Sequence, residues 1–107
     1  MLILPIKRKW FDMIISGEKK EEYRELKEYY NVRFINADLG YFCPIGFVRR
    51  NPRYVMFRNG YSKDSPSCIC LVKLTIGKGR PEWGAEPDKY YYILKILEVK
   101  EVINEKL

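Results

Sequence analysis

Apolar residues open the chain and then change their period. Residues 2–6 are apolar and partly β-branched, which predicts a strand. From Lys7 to Ser16, Trp10, Phe11, Ile14 and Ile15 recur at helical spacing, which predicts an amphipathic helix. Gly17 follows at once, where the end of a helix favours a left-handed residue. Residues 19–25 alternate as a strand does, with Glu22 and Arg24 on one face and Glu21 and Tyr23 on the other. Leu26 to Phe34 predict a second short helix with Tyr29, Tyr30 and Phe34 as its apolar side.

The rest reads as β-structure. Gly40, Pro44, Gly46 and Pro52 punctuate a long connection. Arg53 to Arg58 predict a strand with Tyr54, Met56 and Arg58 on one side, and Asn59-Gly60 is a turn signal. Ser67 to Ile76, rich in Ile, Val, Leu and Cys, is the clearest strand. Gly77, Gly79, Pro81, Gly84 and Pro87 then break the chain into a loop that carries Trp83. Tyr90 to Val99 is apolar on both faces, as in a buried barrel strand, and the charged tail beyond it is expected to fray. No repeat or low-complexity segment interrupts this order. The expected fold is α+β: one domain over residues 1–107, a small, mostly antiparallel β-barrel with one or two short helices, closure removing the sheet edges.

Composition narrows the chemistry. With 47% hydrophobic and 32% charged residues, the 107-residue chain is expected to be globular and to bury a core without metal or disulfides. No apolar run approaches the roughly 20 residues of a membrane span. The charges of the start follow its short apolar stretch instead of preceding it, unlike a secretory signal, so a cytoplasmic protein is expected. Cys43, Cys68 and Cys70 are an odd set, and Cys68 and Cys70 share a strand face, which predicts small buried thiols. The chain has no histidine. That removes the usual general base, the Ser-His and Cys-His pairs and histidine-ligated metals, and leaves any catalysis to Glu, Asp, Lys, Tyr or a carboxylate-held metal; no cofactor is expected. The net charge of +6 and pI of about 9.2 favour an anionic partner.

Three segments carry candidate chemistry. In Gly17-Glu18-Lys19-Lys20-Glu21-Glu22-Tyr23-Arg24, a cation, a carboxylate and a second cation follow a capped helix within six residues. Glu22 and Arg24 can pair on one strand face, and Lys19 can swing from the turn to join them. Such a cluster suits a phosphate or a base edge, and equally an ordinary exposed set of ion pairs. Leu39 to Lys63 contains no Asp or Glu, and interleaves Arg49, Arg50, Arg53, Arg58 and Lys63 with Tyr41, Phe42, Phe47, Tyr54, Phe57 and Tyr61. Cations for phosphates and aromatic faces for bases are what single-strand binding requires, although some of these rings belong in a core. Trp83, beside Glu82, either covers a core edge or stacks on a ligand. Trp10 shares that ambiguity, since Lys7 and Lys9 beside it suggest a cleft rim.

The pattern Gly-x-Lys-x-x-Glu-x-Arg, filled by Gly17, Lys19, Glu22 and Arg24, resembles the signature of the ASCH superfamily, relatives of the PUA domain. Leu2 to Ile6 resembles that family's first strand, and Lys9-Trp10-Phe11 through Ile15-Ser16 its first helix. Arg58-Asn59-Gly60-Tyr61 and Glu82-Trp83-Gly84 resemble segments of compact bacterial and prophage-type members. The resemblance implies a PUA-like barrel, a cleft beside the first helix lined by the motif, and RNA binding. One branch of the family removes the acetyl group of N4-acetylcytidine with a threonine nucleophile. This chain has Glu22 at that position, and a carboxylate does not replace a hydroxyl in that role.

The resulting expectation is an RNA- or single-stranded nucleic-acid-binding module. Lys19, Arg24 and Arg58 contact phosphate, Glu22 orients the cations or accepts from a base amino group, Tyr61 and Trp83 stack, and Lys9 lies at the rim. The main alternative is a hydrolase of a modified nucleoside or RNA phosphodiester, with Glu22 as base and Lys19 as electrostatic stabiliser. A protein partner is a third. Membrane association is not expected.

Overall fold

In a computed structural model that describes residues 1–105, the chain runs β1 (Leu2–Pro5), α1 (Arg8–Ile15), β2 (Glu21–Arg24), α2 (Glu28–Asn36), β3 (Gly40–Cys43), β4 (Gly46–Arg49), β5 (Arg53–Arg58), β6 (Ser67–Lys78) and β7 (Tyr90–Ile103). A short 3-10 turn, Pro81–Trp83, stands between β6 and β7. The fold is α+β, with two short helices and a mixed, mostly antiparallel sheet.

That sheet is open. Its order is β1-β5-β6-β7-β2, so β1 and β2 are the two edges, with β1 parallel to β5 and the other pairs antiparallel. The closed barrel expected from the pattern of strands and turns is therefore not formed. Each edge strand has only four residues, and a side chain occupies the gap: an Arg24 Nη of β2 donates to the carbonyl of Pro5 at the end of β1, at 2.7 Å.

α1 forms where the periodicity places it and buries Phe11 and Ile14. Gly17 adopts φ +85° and its N–H returns to the Ile14 carbonyl at 3.1 Å. The N–H of Lys19 then donates to the Met13 carbonyl at 2.9 Å, which doubles the chain back into β2. α2 buries Phe34 edge-on against Tyr92, with ring centroids 4.9 Å apart. Tyr29 departs from the expected apolar side: it is 51% exposed and carries the Arg33 guanidinium over its ring.

The core lies between the helices and one face of the sheet, where Leu4, Val55, Phe57, Cys68, Cys70, Val72, Leu74 and Leu94 meet Phe11, Ile14 and Phe34. Cys68 and Cys70 share that face as buried thiols, with Sγ atoms 3.8 Å apart. The expected long connection after α2 contains a hairpin instead. β3 pairs with β4, and Phe42 and Phe47 face each other and lean on Tyr92. β7 is buried on both faces only over Tyr91–Leu94. Beyond Leu94, β7 is more exposed but stays paired with β6, and two register shifts bend the pairing. The tail expected to fray after Val99 stays paired as far as Ile103, and Glu105 binds Arg8.

Candidate functional site

The candidate site is the unclosed seam. A cleft of about 450 Å³ lies between the end of β1 and the edge strand β2, beside the first turn of α1. Pro5, Ile6 and Lys7 form one side. Glu22 and Arg24 line it from β2, and Trp83 and Gly84 close it from the loop between β6 and β7.

Glu22 and Arg24 share one face of β2, as the sequence pattern predicts, and that face turns inward, each side chain being 9% exposed. One Glu22 oxygen accepts from Lys19 at 3.2 Å and the other from Arg24 at 2.7 Å. Lys19 does not reach into solvent from the turn. Its side chain is 0% exposed, enclosed by the rings of Trp10 and Tyr23, each 4.9 Å from Nζ, and it donates to the Trp83 carbonyl. Burial pulls the Lys19 ammonium below its ordinary pKa, and the Glu22 charge pulls it back up. Lys19 therefore positions Glu22 and the Trp83 loop from behind the cleft wall.

Arg24 is the buried cation that faces the cleft. Its Nη2 serves both Glu22 and Pro5, while Nε is buried with no hydrogen-bond partner among the described residues. The Tyr30 ring from α2 lies 5.9 Å from the guanidinium carbon. A guanidinium held by a carboxylate at the wall of an aromatic-lined cleft suits a planar or anionic oxygen acceptor.

The Trp83 loop is pinned from four directions. Lys19 holds the Trp83 carbonyl, the Tyr23 hydroxyl accepts from the Arg80 N–H at 2.9 Å, and the Tyr91 hydroxyl accepts from the Glu86 N–H at 3.0 Å. Gly84, at φ +104°, lies flat on the Trp10 indole, where an added Cβ would stand 3.0 Å from the ring.

Tyr23 also donates to Glu21 at 2.8 Å, and burial raises its phenol pKa above the ordinary 10.0. A phenol with a raised folded pKa keeps its proton while the unfolded chain loses its own. Its contribution is therefore complete below pH 10 and declines above it. Stability of the wild type is expected to fall more steeply above pH 10 than that of Tyr23→Phe in urea titrations. Parallel slopes would show that the buried phenol is not responsible.

Around the cleft stand Lys7, Arg24, Lys27 and Lys89 against Glu22, Glu25 and Glu86, with Lys19 behind. Lys27 and Lys89 reach Glu25 and Glu86 only at 4.0 and 3.9 Å on the exposed rim. The residue pattern did not single out Lys27, Lys89, Tyr30 or Tyr91, because topology and not spacing brings them here. Lys9 lies outside the lining residues with its ammonium 4.7 Å from the Trp10 ring. Arg58 also lies outside it, on β5, with Nε buried and unpartnered. Tyr61 lines an adjoining depression.

The acid-free segment is partly neutralised from outside it. Asp38, just before it, pairs with Arg50 at 3.4 Å and Arg53 at 2.6 Å, while Arg49 donates to Thr75 at 2.8 Å. Among the described residues, no three metal-ligating side chains stand together and no helix is long and apolar enough to cross a membrane.

No protein-family model matches the chain, and neither a curated protein nor a solved structure matches it.

Proposed function

We propose that the seam cleft binds single-stranded RNA and that the chain is an ASCH-like module of PUA-like type. The observation that carries this reading is the convergence of Lys19, Glu22 and Arg24 in one buried cluster at a cleft whose walls are aromatic. Arg24 contacts a phosphate or a base edge through the part of its guanidinium that Glu22 and Pro5 leave free. Glu22 aims Arg24, and Lys19 fixes Glu22. Trp83 and Tyr30 offer faces for a base, and the rim lysines meet the backbone. Arg58 and Lys9 supply basic surface beyond the cleft.

The hydrolytic alternative asks Glu22 to take a proton from a substrate or water. Both of its oxygens already accept from cations, which favours an orienting role over that of a base.

Both tryptophans of the chain line the cleft, so their emission reports its occupancy without a label. A short single-stranded oligoribonucleotide is expected to change that emission saturably. Arg24→Lys, which keeps the charge but loses the planar fork, is expected to weaken binding about tenfold. Unchanged emission at every concentration contradicts the proposal. Turnover of the oligonucleotide that a still-folded Glu22→Gln variant abolishes would favour the hydrolase.

A further inference from the structure

We infer that the cleft is one half of a longer groove, and that a bound strand crosses the β1–α1 corner at Lys7 to stack a second base on Tyr61. The inference rests on the RNA reading of the cleft and adds the path and minimum length of its ligand.

A second depression, of about 360 Å³, is lined by Pro5, Ile6, Lys7, Asn59, Gly60 and Tyr61. Pro5, Ile6 and Lys7 also line the first, so the two are the sides of a single ridge. Each volume is near the low end of ligand pockets, roughly 300–1,000 Å³. Together they form an elongated track and not one deep hole.

Tyr61 is 97% exposed. A tyrosine held so far from any protein contact buries nothing in the fold, yet its ring is what a splayed base needs. The turn that presents it is firmly built. Asn59 Nδ2 donates to the Ile6 carbonyl at 3.0 Å, and the Asn59 N–H donates to the Pro66 carbonyl at 2.8 Å. The Ile6 N–H in turn donates to the Arg58 carbonyl at 2.9 Å. Gly60, at φ +130°, packs where an added Cβ would meet Ser65 Oγ at 2.3 Å, so this close turn requires glycine. Tyr61 is thus tethered to the same corner that bounds the cleft.

Electrostatics favour the crossing. Lys7 on the ridge is exposed and has no carboxylate partner within ion-pair distance among the described residues. The second depression has no acidic lining residue, whereas the first has three. A phosphate leaving the cleft on this side meets a free cation and no acid, and the next base arrives at Tyr61.

Single-stranded oligoribonucleotides of one to four nucleotides, titrated by tryptophan emission against wild type and Tyr61→Ala, test the path. Wild type is expected to gain about tenfold in affinity between one and three nucleotides, the order of one stacked base. Tyr61→Ala is expected to lose that gain and to bind the mononucleotide as wild type does. Binding that is independent of length, or a gain that Tyr61→Ala retains, overturns the groove while leaving the cleft reading intact. No binding at any length overturns both.

Discussion

Glu22→Gln is expected to destabilise the domain by about 3–5 kcal/mol, the range for removing one partner of a buried ion pair. Lys19 is fully enclosed, and Glu22 is its one carboxylate partner within ion-pair distance among the described residues. Without that charge the ammonium keeps a carbonyl and two aromatic faces, which do not replace the water it lost. A small domain has about 5–15 kcal/mol in total, so the loss is a large fraction of its stability. Two controls separate this cause from simple disruption. Lys19→Met/Glu22→Gln removes both charges and is expected to be more stable than Glu22→Gln alone. Raising the pH is also expected to restore part of the stability of Glu22→Gln. Burial holds the folded Lys19 below its ordinary 10.5, so the unfolded chain binds more protons as the pH approaches that value, and stability rises with pH. Urea denaturation measures all three. A loss below about 1 kcal/mol in the single variant would mean that the buried pair does not hold the seam.

RNA affinity is expected to fall roughly 20-fold between 50 and 200 mM salt, if about three cations displace counterions from a single strand. Lys7, Lys27 and Lys89 are the three counted. They stand on the rim, where a backbone passes, while Arg24 is tied to Glu22 within. Stacking on Trp83 and Tyr30 is insensitive to salt by comparison, so some affinity is expected to persist at high salt.

Much of the seam is legible in the residues. The period of Trp10, Phe11, Ile14 and Ile15, the stop at Gly17 and the alternation of Glu22 with Tyr23 place α1, its cap and the cleft face of β2 correctly. The burial of Lys19 is not legible, because a lysine after a turn reads as solvated. Its cage needs Trp83, 64 residues away, and only the tertiary fold supplies that carbonyl. Barrel closure is a similar case. It depends on whether two four-residue edges meet, which no periodicity records, and here Arg24 stands between them. The β3–β4 hairpin hides behind Pro44 and Gly46, whose turn chemistry reads as loop while the flanking strands are too short to show alternation. That the acid-free run is partly neutralised is not legible within it, because the carboxylate that pairs with Arg50 and Arg53, Asp38, lies just before its first residue.

The most direct test of the seam as an RNA site is a fluorescence-anisotropy titration of labelled single-stranded RNA at low and physiological salt. It compares wild type with Lys7→Ala/Lys27→Ala/Lys89→Ala, three rim changes that leave the buried cluster intact. The account predicts tight, salt-sensitive binding by wild type, and weak binding with a nearly flat salt response by the variant. Equal affinity and equal salt dependence in the two proteins would contradict it and place any RNA site elsewhere on the molecule.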